Sequence, residues 1–400
     1  MKVLEFLEKK DLKPVGGPSG YLYNLYNQLL KDNVDCIHFI EEYDKINIKD
    51  YLKKFLYKNK KLYNYLYTKH NRNKVLRDVN SNSHYSRVDL SKYDVVHFHG
   101  SLSMYCVKDS LKDYKGIVIF TTHTPKVSYK EIIEDNTLKE DYIKYKEQYD
   151  DLKKIDEYAF NRADYIVFPV EEAEECYYNT WPEYEEIRKK NKNKIHYIPT
   201  GINPIKVEET KEETRDKYNI PKNAFVISYV GRHNEIKGYD KLKKFGEKIL
   251  NDPKYSNVYF LIGGKESPLQ GLNNERWIEV GWTNKPYTIM NCADLFILPN
   301  RETYFDLILL EVMSIGKPVF LSNTGGNKYF HRYKDSGLIY YDINNFDEAL
   351  SILKKTINRK DLNTLGDKNK KIFNENLTIE IFSKNYLSFI NKITNKKEEK

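Results

Sequence analysis

Arg232 and Lys237 stand five residues apart in VGRHNEIKGY (230–239), directly after the apolar run FVISYVG. A planar guanidinium and a compact ammonium at that spacing suit two adjacent phosphates, the fork on one and the point charge on the other. Ligands of parallel sheets bind beyond the carboxyl ends of strands, which is where both cations fall. The bland reading is two solvated side chains. A second candidate is PNRETYFDLILLEVMSIGKPVFLSNTGGN (299–327). Thr303 and Asp306 have the spacing of a capping box, and Leu307, Leu310 and Met313 or Ser314 recur so as to bury one side of the helix that follows. Glu311 is then a carboxylate deep in an apolar helix. It needs a polar partner, and ribose hydroxyls would serve. The capped N-terminus offers a place for a diphosphate.

Gly16 and Gly17 in PVGGPSGYLYNL (14–25) follow a first expected strand and precede a helix. Backbone without Cβ can approach a phosphate or sugar closely there. The pair is not GxGxxG, so a dinucleotide fingerprint is absent, and a plain tight turn is the competing reading. His123 follows IVIFTT at a strand end, a position for a reactive or binding residue, although a lone histidine is often structural. His97 and His99 alternate with Phe98 and can point the same way. Near them in the chain there is no convincing third ligand, and no Asp-x-Asp sits at a strand end, so no metal is expected.

These residues need strand ends and helix starts to hold them. Short apolar runs at 2–6, 36–40, 94–100, 116–123, 163–170 and 194–199 read as buried strands, and Tyr21, Leu22, Leu25, Tyr26 and Leu29 recur at helix spacing. A second series lies at 225–231, 258–264, 279–282, 294–299, 317–323 and 337–342. Strands alternating with helical spans predict mostly parallel sheets with helices on both faces. The expected division is an α/β, Rossmann-like domain over 1–205, a hinge over 206–222, a second such domain over 223–375, and a helix with a frayed tail over 376–400. A dense Lys/Glu/Asp/Tyr pattern over 140–162 reads as one long helix.

Composition narrows the class. Of 400 residues, 40% are hydrophobic and 31% charged, too apolar for a disordered chain. The net charge of +8 permits anionic ligands, but the excess is modest and no recognition module suggests nucleic acid. Four cysteines lie 70 or more residues apart and are expected as reduced thiols. The N-terminus has no signal-peptide pattern and no run of 18 apolar residues exists, so a cytoplasmic protein is expected. Segment 51–77 holds nine Lys or Arg, no Asp or Glu, and five tyrosines. It reads either as a helix packed on the first domain or as a surface for anionic lipid or a charged acceptor. A peripheral place at the inner face of the membrane would follow from the second.

Taken together, Gly231-Arg232 with Lys237-Gly238, the strand–helix unit around Glu311, GKPV at 316–319 and the Gly325–Gly326–Asn327 turn resemble the family 4 retaining glycosyltransferases. The glycine pair at 16–17, DVVHFHG, THTP at 122–125 and YIPTGINP at 197–204 extend the resemblance over nearly the whole chain. It implies a GT-B fold, two Rossmann-like domains facing each other across a cleft, and transfer of a sugar from a nucleotide diphosphosugar with retention of anomeric configuration. By that resemblance Arg232 and Lys237 hold the diphosphate, Glu311 the ribose, Gly17 faces donor phosphates or acceptor, His123 stands near the transferred sugar, and the 324–327 turn lines sugar and phosphates. It further implies no cofactor and no DxD-bound metal, a UDP-sugar as the first donor to expect, and a glycan, lipid-linked or protein acceptor.

The chain also departs from the family. Where the first of two spaced glutamates is usual stands Thr303, with Glu302 one position early; where a glycine is usual stands Asp306; and Asn203 replaces a common acidic residue. Either Glu302 reaches the sugar through a shifted turn, or helix N–H groups serve alone. The alternatives are a nucleotide-sugar epimerase and a non-catalytic glycosyltransferase-like binding protein.

Overall fold

The computed structural model of the chain describes residues 1–7, 12, 17–39, 66, 69, 88–130 and 152–398. Two compact units emerge: residues 1–168 with 176–198 and the stretch from 389 onward, and residues 169–175 with 199–388. Gly16 and the basic stretch 51–77, apart from Leu66 and Lys69, lie outside the described residues. So does the first part of the 140–162 helix, of which Lys153–Arg162 is described.

In the first unit the strands are β1 (Val3–Phe6), β2 (Ile37–Phe39), β3 (Val95–His99), β4 (Ile117–Thr121), β5 (Tyr165–Phe168) and β6 (Ile195–Tyr197). They form one parallel sheet in the order β2-β1-β3-β4-β5-β6. VVHFH and IVIFT are buried at every position, as strands covered on both faces must be, which is why they read as continuous apolar runs. Phe6 meets Phe98 across neighbouring strands at 4.9 Å, and Phe160 packs edge-on against Phe120 and Trp181.

In the second unit β7 (Phe225–Val230), β8 (Val258–Gly263), β9 (Trp277–Gly281), β10 (Leu295–Leu298), β11 (Val319–Ser322) and β12 (Leu338–Tyr341) form another parallel sheet, ordered β12-β11-β10-β7-β8-β9. Its core stacks Phe320 on Tyr341 at 4.3 Å and Phe245 on Phe346 at 5.0 Å. Tyr177, Tyr184, Tyr229, Tyr239 and Tyr386 are fully buried, so part of the high tyrosine content is core. Within the 206–222 stretch, Lys211–Lys217 is a helix with a complete capping box between Thr210 and Glu213. Its Arg215 bonds the carbonyls of Lys222 and Ala224 and the Asp294 carboxylate, which ties the helix to the second sheet.

All twelve expected strands form, with β9 beginning earlier than expected, at Trp277. Three local expectations are corrected. Thr303 and Asp306 do not make a capping box: the helix is Leu307–Ile315, its N-cap is Asp306, and no side chain caps it. Its buried residues are Leu309, Leu310, Val312, Met313 and Ser314, with Leu307 only partly covered. Tyr26 is on the exposed side of helix Pro18–Lys31, its ring edge-on to Phe39. The four cysteines are free thiols. No described helix is long and apolar enough to cross a membrane.

Candidate functional site

Each sheet reverses its direction of growth at one place, between β1 and β3 in the first unit and between β7 and β10 in the second. Chains leaving two such strands diverge to opposite faces and open a crevice at their carboxyl ends. The sequence-selected residues collect at these two points.

In the second unit three loops are bound to one another. The loop after β7 carries Arg232, which is exposed, and half-buried Lys237. It ends at Gly238, in the left-handed region at φ 66°, where any Cβ would collide with the Pro299 carbonyl. The loop after β10 answers it: Arg301 N–H donates to the Ile236 carbonyl at 2.8 Å, and the Arg301 guanidinium grips both Asp240 oxygens. The third loop, after β11, presses Gly325 against the Thr303 carbonyl and Gly326 against that of Tyr304, and Gly326 N–H donates to Thr303 O at 2.9 Å. Close backbone approach explains the glycines in this turn.

Asp306 stands between the loops. Its Oδ2 accepts from Lys237 Nζ and from Asn300 Nδ2, each at 2.6 Å. Burial opposes its ionisation, but Lys237 and Asn300 hold the carboxyl below its ordinary range. One helical turn further, burial pushes Glu311 up to about 7, and the Asp306 charge adds to the shift. The Thr303 hydroxyl accepts from Asn300 Nδ2 at 2.8 Å, so it builds the loop. Glu302 is partly covered beside it. Asn327 is buried, its amide donating to the Ser322 carbonyl, and it shapes the turn from behind. Glu175 also closes on this turn: its carboxylate accepts from Gly325 N–H at 2.9 Å and from Lys328. Glu175 and Asn300 carry no signal in the sequence, since Glu175 is 150 positions from the residue it binds.

In the first unit Gly17 is the N-cap of helix Pro18–Lys31 at φ 75°, with Pro18 opening the helix. Among the described residues a Cβ there would meet no atom within 4 Å, so it is the backbone angle that requires glycine. His123, just after β4, also lies in the left-handed region at φ 61°, uncommon for a residue with a side chain. Its Nε2 is 2.7 Å from His99 Nδ1, and its ring lies edge-on to Tyr21. His97 and His99 do point the same way, and the third group that the local sequence lacked is Glu5, on the adjacent strand β1. Glu5 Oε2 lies 2.6 Å from His99 Nε2 and 3.1 Å from His97 Nδ1, all three side chains buried. The remaining His97 nitrogen meets the Thr121 hydroxyl at 2.9 Å. The Glu5–His99 contact has hydrogen-bond length, and the ligand atoms of Glu5, His97 and His99 all lie within 4.8 Å of one another, close enough together to hold a metal ion.

Two Rossmann-like units, each with candidate binding residues at its switch point, are consistent with the GT-B fold. The family model for glycosyl transferases group 1 matches residues 224–355, a span that contains Arg232, Lys237, Glu311 and Asn327. The chain is 25% identical over 185 residues to the Escherichia coli UDP-Gal:alpha-D-GlcNAc-diphosphoundecaprenol alpha-1,3-galactosyltransferase, covering 43% of this chain and 48% of that protein. The chain thus spans about half the length of the curated relatives it matches. Among solved structures it resembles sucrose-phosphate synthase from Thermosynechococcus elongatus, with a TM-score of 0.62, 14% identity and 98% of each chain covered. Anabaena HepE in complex with UDP-glucose gives a TM-score of 0.61 at 13% identity, over 98% of this chain and 100% of that one. At these identities the likeness is one of fold.

Proposed function

We propose that this chain is a retaining glycosyltransferase of the hexosyltransferase type, which binds a UDP-sugar on its second unit and passes the sugar to a glycan, lipid-linked or protein acceptor. The observation that carries the reading is the meeting of the Arg232–Lys237 loop, the Asp306–Glu311 helix start and the 324–327 turn at one switch point, inside the span of the matching family model. The UDP-galactose named for the E. coli relative and the UDP-glucose bound to HepE support a uridine donor.

In this reading the diphosphate displaces Asp306 from Lys237 and spans to Arg232, and N–H groups at the start of helix Leu307–Ile315 face the same charge. As the bond from sugar to diphosphate breaks, negative charge grows on the leaving oxygen. Fixed cations and N–H dipoles stabilise it without rearranging. Glu311 accepts from the ribose hydroxyls. Glu302, one position before Thr303, takes the contact to the sugar. Gly17 and His123 belong to the acceptor side or the transferred sugar.

The test begins with a thermal-shift screen of nucleotides and nucleotide sugars, because a ligand that binds the folded state raises the melting temperature. A transfer assay on the best binder follows, with the product anomer read by NMR. A glycoside formed only with acceptor, and in the donor's anomeric configuration, is expected. An epimer formed from donor alone, or binding without any turnover, would overturn the proposal.

A further inference from the structure

β1 and β3 are parallel neighbours, and Glu5 stands opposite His97 in their register. Side chains alternate between faces along a strand, so His97 and His99 share one face of the sheet and Phe98 takes the other. A residue paired with His97 on the next strand points to that same face. Backbone register alone therefore gathers Glu5, His97 and His99 on one side of the sheet, at its switch point. The side chains converge there. Glu5 Oε2 is 2.6 Å from His99 Nε2 and 3.1 Å from His97 Nδ1, and the three residues are at most 2% exposed. Buried charges are paired or coordinate metals. Two imidazoles with one carboxylate are a donor set that suits zinc, whereas magnesium and calcium take oxygen donors. The far nitrogen of each ring also has a partner: His97 Nε2 lies 2.9 Å from the Thr121 hydroxyl, and His99 Nδ1 lies 2.7 Å from His123 Nε2. A histidine that binds a metal through one nitrogen donates its other N–H to such an outer partner, which fixes the ring. The Thr121 oxygen and a ring nitrogen of His123 can both accept. With the hydrogens placed there, His97 Nδ1 and His99 Nε2 turn bare lone pairs toward the place where the carboxylate points.

We propose that Glu5, His97 and His99 form a buried zinc site that ties β1 to β3, with Glu5 Oε2, His97 Nδ1 and His99 Nε2 as the ligand atoms. Around a tetrahedral ion with bonds of about 2.0–2.1 Å the ligand atoms stand roughly 3.3 Å apart. The Glu5–His97 pair is already close to that spacing, and the Glu5–His99 pair opens by less than an ångström to admit the ion. A water or the second carboxylate oxygen fills the fourth place. The third ligand that the local sequence lacks is thus supplied by the neighbouring strand. The site lies wholly within the first unit and stands whether or not the chain transfers a sugar.

The test uses the full chain, without an affinity tag, produced with zinc in the medium, dialysed against metal-free buffer and analysed for its metal content. One zinc per chain is expected. Stripping it with a chelator should lower the melting temperature, and one equivalent of zinc should restore it. Long-range proton–nitrogen spectra of protein labelled with nitrogen-15 at histidine then locate the ion. With zinc bound, His97 should carry its hydrogen on Nε2 and His99 on Nδ1. Glu5→Gln and His99→Gln should each weaken zinc binding by about 10²-fold or more, and Thr121→Val, which removes an outer partner, by about tenfold. No zinc after dialysis overturns the proposal whether or not any variant folds, and so do hydrogens on the two nitrogens that face Glu5, the mark of a cluster held by hydrogen bonds alone. Another first-row ion in place of zinc would overturn zinc as the occupant. Cobalt substituted for zinc with strong thiolate absorption in the near ultraviolet would assign the ion to cysteines and overturn the site. A folded Glu5→Gln protein that holds zinc as tightly as the parent would remove Glu5 from the ligands.

Discussion

Lys237 and Asp306 form an ion pair at 2.6 Å in the place where the proposed donor diphosphate must bind, and Asn300 holds the same Asp306 oxygen. An arriving diphosphate must take over this lysine and tolerate a carboxylate beside it. Asp306→Asn keeps the shape and removes the competing charge. Affinity for the nucleoside diphosphate should rise about tenfold, the equivalent of ~1.4 kcal/mol, with little change in melting temperature. Calorimetric titration measures it, and equal or weaker affinity in the variant would show that Asp306 assists the ligand.

The cations themselves should matter more to turnover than to folding. Arg232 is exposed and Lys237 half-buried, so neither anchors a core. Arg232→Ala and Lys237→Ala should each cut kcat/KM for transfer by about 10² or more, since losing a fixed charge at a developing oxyanion costs a few kcal/mol. Activity within about threefold of the parent for both would exclude them from the diphosphate.

Glu311 gives the donor site a pH dependence. Its carboxyl is pushed up to about 7 by burial, with Asp306 adding to the shift. Ribose hydroxyls that donate to it favour the ionised form, so nucleotide affinity should increase as pH rises through 7 and fall as Glu311 takes up its proton below that. Glu311→Gln should bind weakly and without that dependence. Asp306→Asn should move the midpoint down, because it removes a neighbouring charge that opposes ionisation. Titrations at pH 6 and pH 8 decide it, about one unit either side of the midpoint. Full nucleotide affinity in Glu311→Gln would detach this residue from the ligand.

The sheets were legible because parallel strands buried on both faces leave unbroken apolar runs, as in VVHFH and IVIFT. Arg232 and Lys237 were legible as charges beyond a strand end, and Glu311 as a charge inside an apolar helix. What stayed hidden is what partners them. Asp306 looked like half of a capping box, and only the folded loops show its carboxylate turned to Lys237. Glu5 is an acidic residue inside an apolar run, 94 positions from His99; strand adjacency, not sequence, brings them together. Tyr26 fits the helix period yet is exposed, because a period marks a stripe without saying how wide a stripe the sheet covers.

Asp156 offers a stability test outside both sites. It is fully buried in helix Lys153–Arg162, and desolvation lifts its carboxyl to about 6 against the pull of the Ser101 and Ser128 hydroxyls. The folded form therefore holds its proton more tightly than the unfolded chain, whose ordinary value is 3.8. For an acid shifted upward, the folded state is penalised above the folded value, and the penalty is relieved as pH falls toward the unfolded one. Between about 6 and 3.8 that amounts to about 3 kcal/mol at most. Asp156→Asn removes the ionisation and keeps an amide beside the two serines. At pH 7.5 the variant should melt several degrees above the parent, the gap should shrink as pH falls through 6, and near pH 4 it should vanish. Melting temperatures across that range measure the difference directly, and residues common to both proteins cancel. A variant less stable at every pH would mean that the serine hydroxyls require the carboxylate, and that burial has not made its charge a burden.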